Sequence, residues 1–156
     1  LCGSGDVTVA AEFNVYCDAS AAQFVLSCPV TKTLLPLDIA SQACLTFDFL
    51  TTVNECSTST GRLLQAILPG AFKAFRQRRG IEGILAPEAV AVAVAIDPTL
   101  MVTESYPREV ETGGSLTHGA TIIDRRVRPG SLPNADVVVE IDVDRTVECI
   151  LDTLTS

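Results

Sequence analysis

The chain has 156 residues, with 11 lysines and arginines against 19 aspartates and glutamates, a net charge of -8 and 47% hydrophobic residues. That length fits one compact domain, and the negative balance offers no general attraction to nucleic-acid phosphates or anionic lipid, which argues against nucleic acid and membrane as partners. The longest apolar run, residues 89–96, is far shorter than a bilayer span although mean hydropathy is +0.36; with no initiator methionine and no signal-peptide pattern at Leu1, a cytoplasmic location and a start inside a longer protein are the expectations.

Asp18 suits a helix N-cap, and Ala21, Phe24, Val25 and Cys28 recur at helical spacing, so a helix burying that stripe is expected up to Pro29. Residues 31–37 are short, apolar and rich in β-formers, which predicts a buried strand. A second helix is expected over 41–56. After the turn-rich 57–61, Leu64, Ile67, Leu68, Ala71, Phe72 and Phe75 mark a third helix that Pro69-Gly70 must interrupt or kink. Residues 89–96 alternate alanine and valine as a buried strand would, yet Pro87-Glu88 in front suits a helix N-terminus, and periodicity does not separate the two. Residues 102–111 and 120–127 flank the turn signal Gly113-Gly114-Ser115 and read as strands, as does 137–141. Val147, Ile150, Leu151 and Leu154 behind Asp144 read as a closing helix. The order predicts a mixed α/β single domain over 1–156.

Cys2, Cys17, Cys28, Cys44, Cys56 and Cys149 form no Cys-x-x-Cys pair. They are expected to be reduced, with Cys28 and Cys149 buried among apolar neighbours, and with His118 the single histidine a thiolate zinc site lacks ligands. The cations Lys73, Arg76, Arg78 and Arg79 read as a helix C-terminus complementing the dipole rather than a nucleic-acid patch. Arg125-Arg126-Val127-Arg128 reads as an exposed strand end, and His118, with no nucleophile motif around it, as a surface or loop histidine.

Residues 5–14 differ from all of these. Asp6, Glu12, Phe13 and Asn14 place two carboxylates, an aromatic and an amide just ahead of a helix. A Glu and an Asn two apart on an extended segment face the same way and together accept from and donate to vicinal hydroxyls, with Phe13 free to pack, which is chemistry suited to a sugar.

Ala11-Glu12-Phe13-Asn14, followed by Asp18, Ala21-Ala22 and Leu37-Asp38-Ile39, resembles the second half of the inosine-uridine nucleoside hydrolase family. Ala91-Val92-Ala93 with Ile96-Asp97-Pro98, the stretch from Val110-Glu111-Thr112-Gly113 through His118-Gly119 to Asp124, and Pro133-Asn134 arrive in the family's order. The resemblance implies an α/β fold with a mixed, mainly parallel central sheet flanked by helices, here the C-terminal part of such a domain. It implies hydrolysis of the N-glycosidic bond of ribonucleosides to ribose and base. Glu12 and Asn14 would hold ribose hydroxyls beside Phe13, with Asp6 standing where members carry a sugar-binding Asn. A calcium ion is the implied cofactor, but the Asp-rich motif that mostly holds it would precede Leu1. Glu88 falls where one remaining ligand is expected, Pro87 where members place the histidine that protonates the leaving base, and Ala89 where they have proline. This chain alone is therefore expected to bind calcium weakly and to supply the sugar grip without turnover. The expected partners are a nucleoside or ribose and, through an open sheet edge, further copies of the chain. A non-catalytic nucleoside- or ribose-binding pseudoenzyme and a structural α/β partner domain are the alternatives.

Overall fold

The computed structural model describes residues 5–126 and 132–155, and the chain forms two compact units: Leu1–Ile39 with Met101–Glu140, and Ala40–Leu100 with Ile141–Ser156. In the first unit, α1 (Phe13–Cys17) and α2 (Ala19–Ser27) precede β1 (Thr33–Leu34). After the intervening unit come β4 (Met101–Tyr106), β5 (Arg108–Val110), β6 (Thr121–Ile123) and β7 (Ala135–Ile141). A three-stranded sheet has the order β1-β7-β4, with β1 parallel to β7 in the register Thr33 to Asp136 and Leu34 to Val137. β5 and β6 form an antiparallel hairpin, Arg108 opposite Ile123 and Val110 opposite Thr121.

Asp18 caps α2 as expected, its carboxylate accepting from the Ala21 amide at 2.8 Å. The buried face is the other one, however. Ala19 and Leu26 pack with Val110 and Ala135, with Ala22 and Leu34 alongside, while Phe24 is 70% and Val25 53% exposed. Small alanines let the helix sit close to β5, and the bulky stripe is turned outward. Cys28 is accordingly only half-buried, as is Cys149.

The second unit begins within α3 (Leu37–Ala40) and holds β2 (Cys44–Leu45), α4 (Phe47–Glu55), α5 (Ser59–Arg79), β3 (Ile84–Leu85), α6 (Pro87–Ile96), a 3-10 turn over Pro98–Leu100, and α7 (Val143–Thr155). The helix expected over 41–56 loses its first part because Cys44 and Leu45 pair antiparallel with Leu85 and Ile84. Gly83 permits that approach, since a Cβ there would stand 2.5 Å from Cys44 Sγ and 2.8 Å from the Leu45 carbonyl oxygen.

The strand expected over 31–37 shrinks to Thr33–Leu34, because Leu37 already opens α3. Pro107 divides residues 102–111 into β4 and β5, the ring having no N–H for a ladder. The undecided run 89–96 is helix, with Pro87 in the first turn, where its missing N–H has no intrahelical partner to lose.

Helix α5 runs without interruption through Pro69. Leu68 and Phe72 on either side of it are buried, Phe72 stacking tilted against Phe47 at 5.1 Å. Gln65 donates from Nε2 to the carbonyl oxygens of Val53, Asn54 and Cys56 at 2.8 to 3.2 Å, closing the end of α4. This packing outweighs the roughly 3 kcal/mol that an interior proline costs a helix. The cations Arg76, Arg78 and Arg79 do stand in the last turn before Gly80, with Arg76 paired to Glu82 at 3.3 Å and Arg79 over the Phe75 ring. Among the described residues, no helix is long and apolar enough to cross a membrane.

Candidate functional site

The first unit brings the sugar-chemistry residues together at the start of α1. Gly5 begins a tight loop in which the amides of Val7 and Thr8 donate to the Ala11 carbonyl at 3.4 and 3.3 Å. Thr8 Oγ1 accepts from the Ala10 and Ala11 amides at 3.2 and 3.0 Å. Only glycine fits position 5, because a Cβ would lie 1.9 Å from the Thr8 carbonyl oxygen and 2.5 Å from that of Ala11. The loop delivers Asp6 to the helix start, where its carboxylate accepts from the Phe13 amide at 2.9 Å.

Glu12 is the N-cap of α1, with extended backbone, and its Oε1 accepts from the Val15 amide at 2.8 Å. Asn14, the second residue of α1, donates from Nδ2 to Glu12 Oε2 at 3.2 Å. The two side chains therefore do share a face, but on a helix start rather than on the extended segment the sequence suggested. Each carboxylate takes one backbone N–H that a helix start leaves without an intrahelical partner. Carboxylate oxygens keep lone pairs beyond one bond apiece, so Glu12 and Asp6 retain capacity to accept from hydroxyls. Phe13 is 59% exposed beside them.

Sequence reasoning missed what lies against this helix. The loop of the β5–β6 hairpin brings Gly119, at φ +77°, so close to α1 that a Cβ on it would stand 2.8 Å from Tyr16 Cα. The His118 ring meets Tyr16 edge-on, with centroids 5.5 Å apart and planes at 84°, and His118 Nδ1 lies 3.2 Å from the Thr112 carbonyl oxygen. His118 is thus a half-buried loop residue with an aromatic neighbour. Glu111 Oε1 accepts from the Gly113 and Gly114 amides at 2.8 and 3.0 Å. Those two bonds, Gly113 first, hold its carboxyl below the usual carboxylate range. The signal was present in the sequence as Glu111 spaced two and three residues ahead of two glycines.

At the other end of the hairpin, Asn134 accepts from the Arg108 amide at 2.9 Å and donates to the Arg108 and Leu26 carbonyls at 3.0 and 3.2 Å. The Val110 amide donates to Gln23 Oε1 at 2.6 Å. Arg125 and Arg126 are exposed; Val127 and Arg128 lie outside the described residues, as does Cys2.

In the second unit, Pro87 is the first residue of α6 and Glu88 is an exposed acid in its first turn. Among the described residues, no three of His, Cys, Asp and Glu stand together as a metal cage. Calcium takes about six to eight oxygen ligands, so the described residues do not by themselves fit that ion.

The family described as inosine-uridine preferring nucleoside hydrolase matches residues 1–148. A Crithidia fasciculata protein named inosine-uridine preferring nucleoside hydrolase is 33% identical over 151 residues, 96% of this chain and 48% of that protein. A Salmonella schwarzengrund protein named non-specific ribonucleoside hydrolase is 33% identical over 91% of this chain and 45% of its own length. Among solved structures, a purine-preferring ribonucleoside hydrolase from Gardnerella vaginalis has a TM-score of 0.85 at 27% identity, covering 97% of this chain and 48% of that one. The chain spans about half the length of the curated relatives it matches.

Proposed function

Because the chain belongs to the inosine-uridine preferring nucleoside hydrolase family, we propose that it is the sugar-holding, C-terminal part of a nucleoside N-ribohydrolase, with residues 1–156 lacking the metal-binding half. The reaction it serves splits the N-glycosidic bond of a ribonucleoside: the oxygen of water ends on the anomeric carbon of ribose and a proton on the departing base. The observation that carries this reading is the hydrogen-bonded pair of Glu12 and Asn14, 3.2 Å apart, at the head of α1. Glu12 accepts from a ribose hydroxyl, Asn14 offers an amide to the neighbouring oxygen, Asp6 accepts a further hydroxyl, and exposed Phe13 packs on the sugar or base. Charge-assisted hydroxyl bonds of this type strengthen as positive charge develops on the sugar, which orients the anomeric carbon for attack.

Calcium is the metal that the family resemblance implies, and Glu88 is the one candidate ligand in this chain; no step is assigned to it, because the described residues do not assemble a cage. Pro87 carries no titratable group, so a general acid, worth about 10² to 10⁴-fold, is not supplied from that position. Residues 1–156 therefore hold ribose without turning over nucleosides, and catalysis belongs to a longer protein. The relatives' names differ in base preference, and no base is assigned. Family membership favours this reading over a structural partner domain.

Titration of the chain with ribose, followed by calorimetry or ligand-detected NMR, tests the grip. Glu12→Gln and Asn14→Ala are each expected to weaken binding by about tenfold, the scale of one hydrogen bond to a charged group. Absence of binding, or binding indifferent to both substitutions, would refute it. Incubation with inosine or uridine and calcium is expected to release no ribose; metal-dependent release would overturn the assignment of catalysis to a longer protein.

A further inference from the structure

Helix α1 is five residues long, too short for its own hydrogen bonds to hold it, and it has no fully buried side chain; half-buried Val15 rests on the core of Ala19, Leu26, Val110 and Ala135, of which Val110 belongs to the hairpin. The hairpin loop reaches it at both ends. A Cβ at Gly119 would stand 2.8 Å from Tyr16 Cα and 3.1 Å from Tyr16 N, behind Asn14, and 3.2 Å from Ala11 Cβ, ahead of Glu12. The backbone at Gly119 thus brackets the Glu12–Asn14 pair, and the edge-on contact of His118 with Tyr16 closes the far side at 5.5 Å.

The hairpin is the fixed partner of the two. Its tip is tied by the Glu111 carboxylate to the Gly113 and Gly114 amides. Further bonds run from the Gly119 amide to the Glu111 carbonyl at 2.8 Å and from the Glu111 amide to the Ala120 carbonyl at 2.9 Å. Its other end is tied to α2 through Gln23 and Asn134. Rigid backbone against a marginal helix sets the position of that helix, and with it the relative placement of two hydroxyl-binding side chains. Displacements near 1 Å at such groups cost binding and rate disproportionately.

We propose that His118 and Gly119 are positioning residues: the hairpin tip clamps α1 through Tyr16 and so fixes Glu12 and Asn14 for the sugar. The proposal rests on the ribose reading given above, but the clamp has its own readout. The test uses the whole chain and three variants, Gly119→Ala, His118→Ala and His118→Phe, with ribose affinity, amide hydrogen exchange at Val15 and Tyr16, and thermal unfolding measured for each. Gly119→Ala is expected to speed exchange at both amides at least tenfold and to weaken ribose binding by a similar factor. His118→Ala should do the same by about three- to tenfold, with the unfolding midpoint close to that of the parent. His118→Phe, which keeps a ring edge for Tyr16, should restore most of both losses.

Wild-type exchange at Val15 and Tyr16 in His118→Ala would overturn the clamp, as would His118→Phe failing to recover what His118→Ala loses. If the parent chain binds no ribose at all, the ribose reading fails while exchange at the two amides still decides whether the hairpin holds the helix.

Discussion

Asn134 satisfies three backbone groups with one side chain: the amide and carbonyl of Arg108 and the carbonyl of Leu26. Asn134→Leu leaves all three without that partner in a half-buried setting, and each such group costs about 1 kcal/mol or more. A loss of about 2–4 kcal/mol in chemical denaturation of the chain is expected, with Asn134→Asp recovering only the acceptor side. Glu111 gives a pH dependence whose sign is fixed. Its carboxyl sits below the ordinary range because the Gly113 and Gly114 amides donate to it, so its contribution to holding the loop is complete above the unfolded-state value. That contribution fades as the pH falls through the lower native value. In an NMR titration the Gly113 and Gly114 amides should follow one acidic inflection below that of a free glutamate, and Glu111→Gln should abolish it. An inflection at or above the free value would contradict the geometry.

At the scale of elements, α5 is bounded by residues that the chain supplies locally. Thr58 Oγ1 accepts from the Gly61 amide at 3.0 Å, and Gly80 ends the helix at φ +66°. Thr58→Ala and Gly80→Ala are each expected to cost about 1 kcal/mol, the first by loss of a cap and the second by forcing a side chain into the left-handed region. Denaturant midpoints of the two variants check both. Such punctuation is why α2 and the hairpin were legible from Asp18 and the Gly113-Gly114 turn, whereas α7 was legible from its apolar spacing, its start being capped by Asp142, which accepts from the Arg145 amide at 3.2 Å, with Asp144 inside the first turn. What stayed illegible was decided by partners distant in sequence. Which face of α2 is buried depended on Val110 and Ala135, far along the chain. The loss of the first part of the helix expected over 41–56 depended on Ile84 and Leu85. For the site, the Glu12–Asn14 spacing pointed to the pair, but the helix start on which they meet, and Tyr16 against His118, follow from the hairpin folding back over α1.

The molecule as a whole leaves its largest apolar residues unevenly covered. Phe24 at 70%, Val25 at 53% and Val30 at 60% exposure crowd one stretch of the first unit, and surface of that kind favours association in water. Sedimentation across a range of concentrations is expected to show self-association that Phe24→Ser combined with Val25→Ser reduces; behaviour unchanged by the pair would exclude this stretch as the contact.

Each unit is assembled from two stretches that the chain visits at different times. Strand β1 meets its parallel neighbour β7 only after roughly a hundred residues have intervened, a closure whose entropic cost grows as the logarithm of the loop but must be met before any ladder bond forms. Contacts of such long sequence separation slow the step that forms them. Until residues 108–110 and 135–141 arrive, α2 has neither β5 nor β7 beneath it, and its inner alanines stand as open to solvent as the phenylalanine on its outer side.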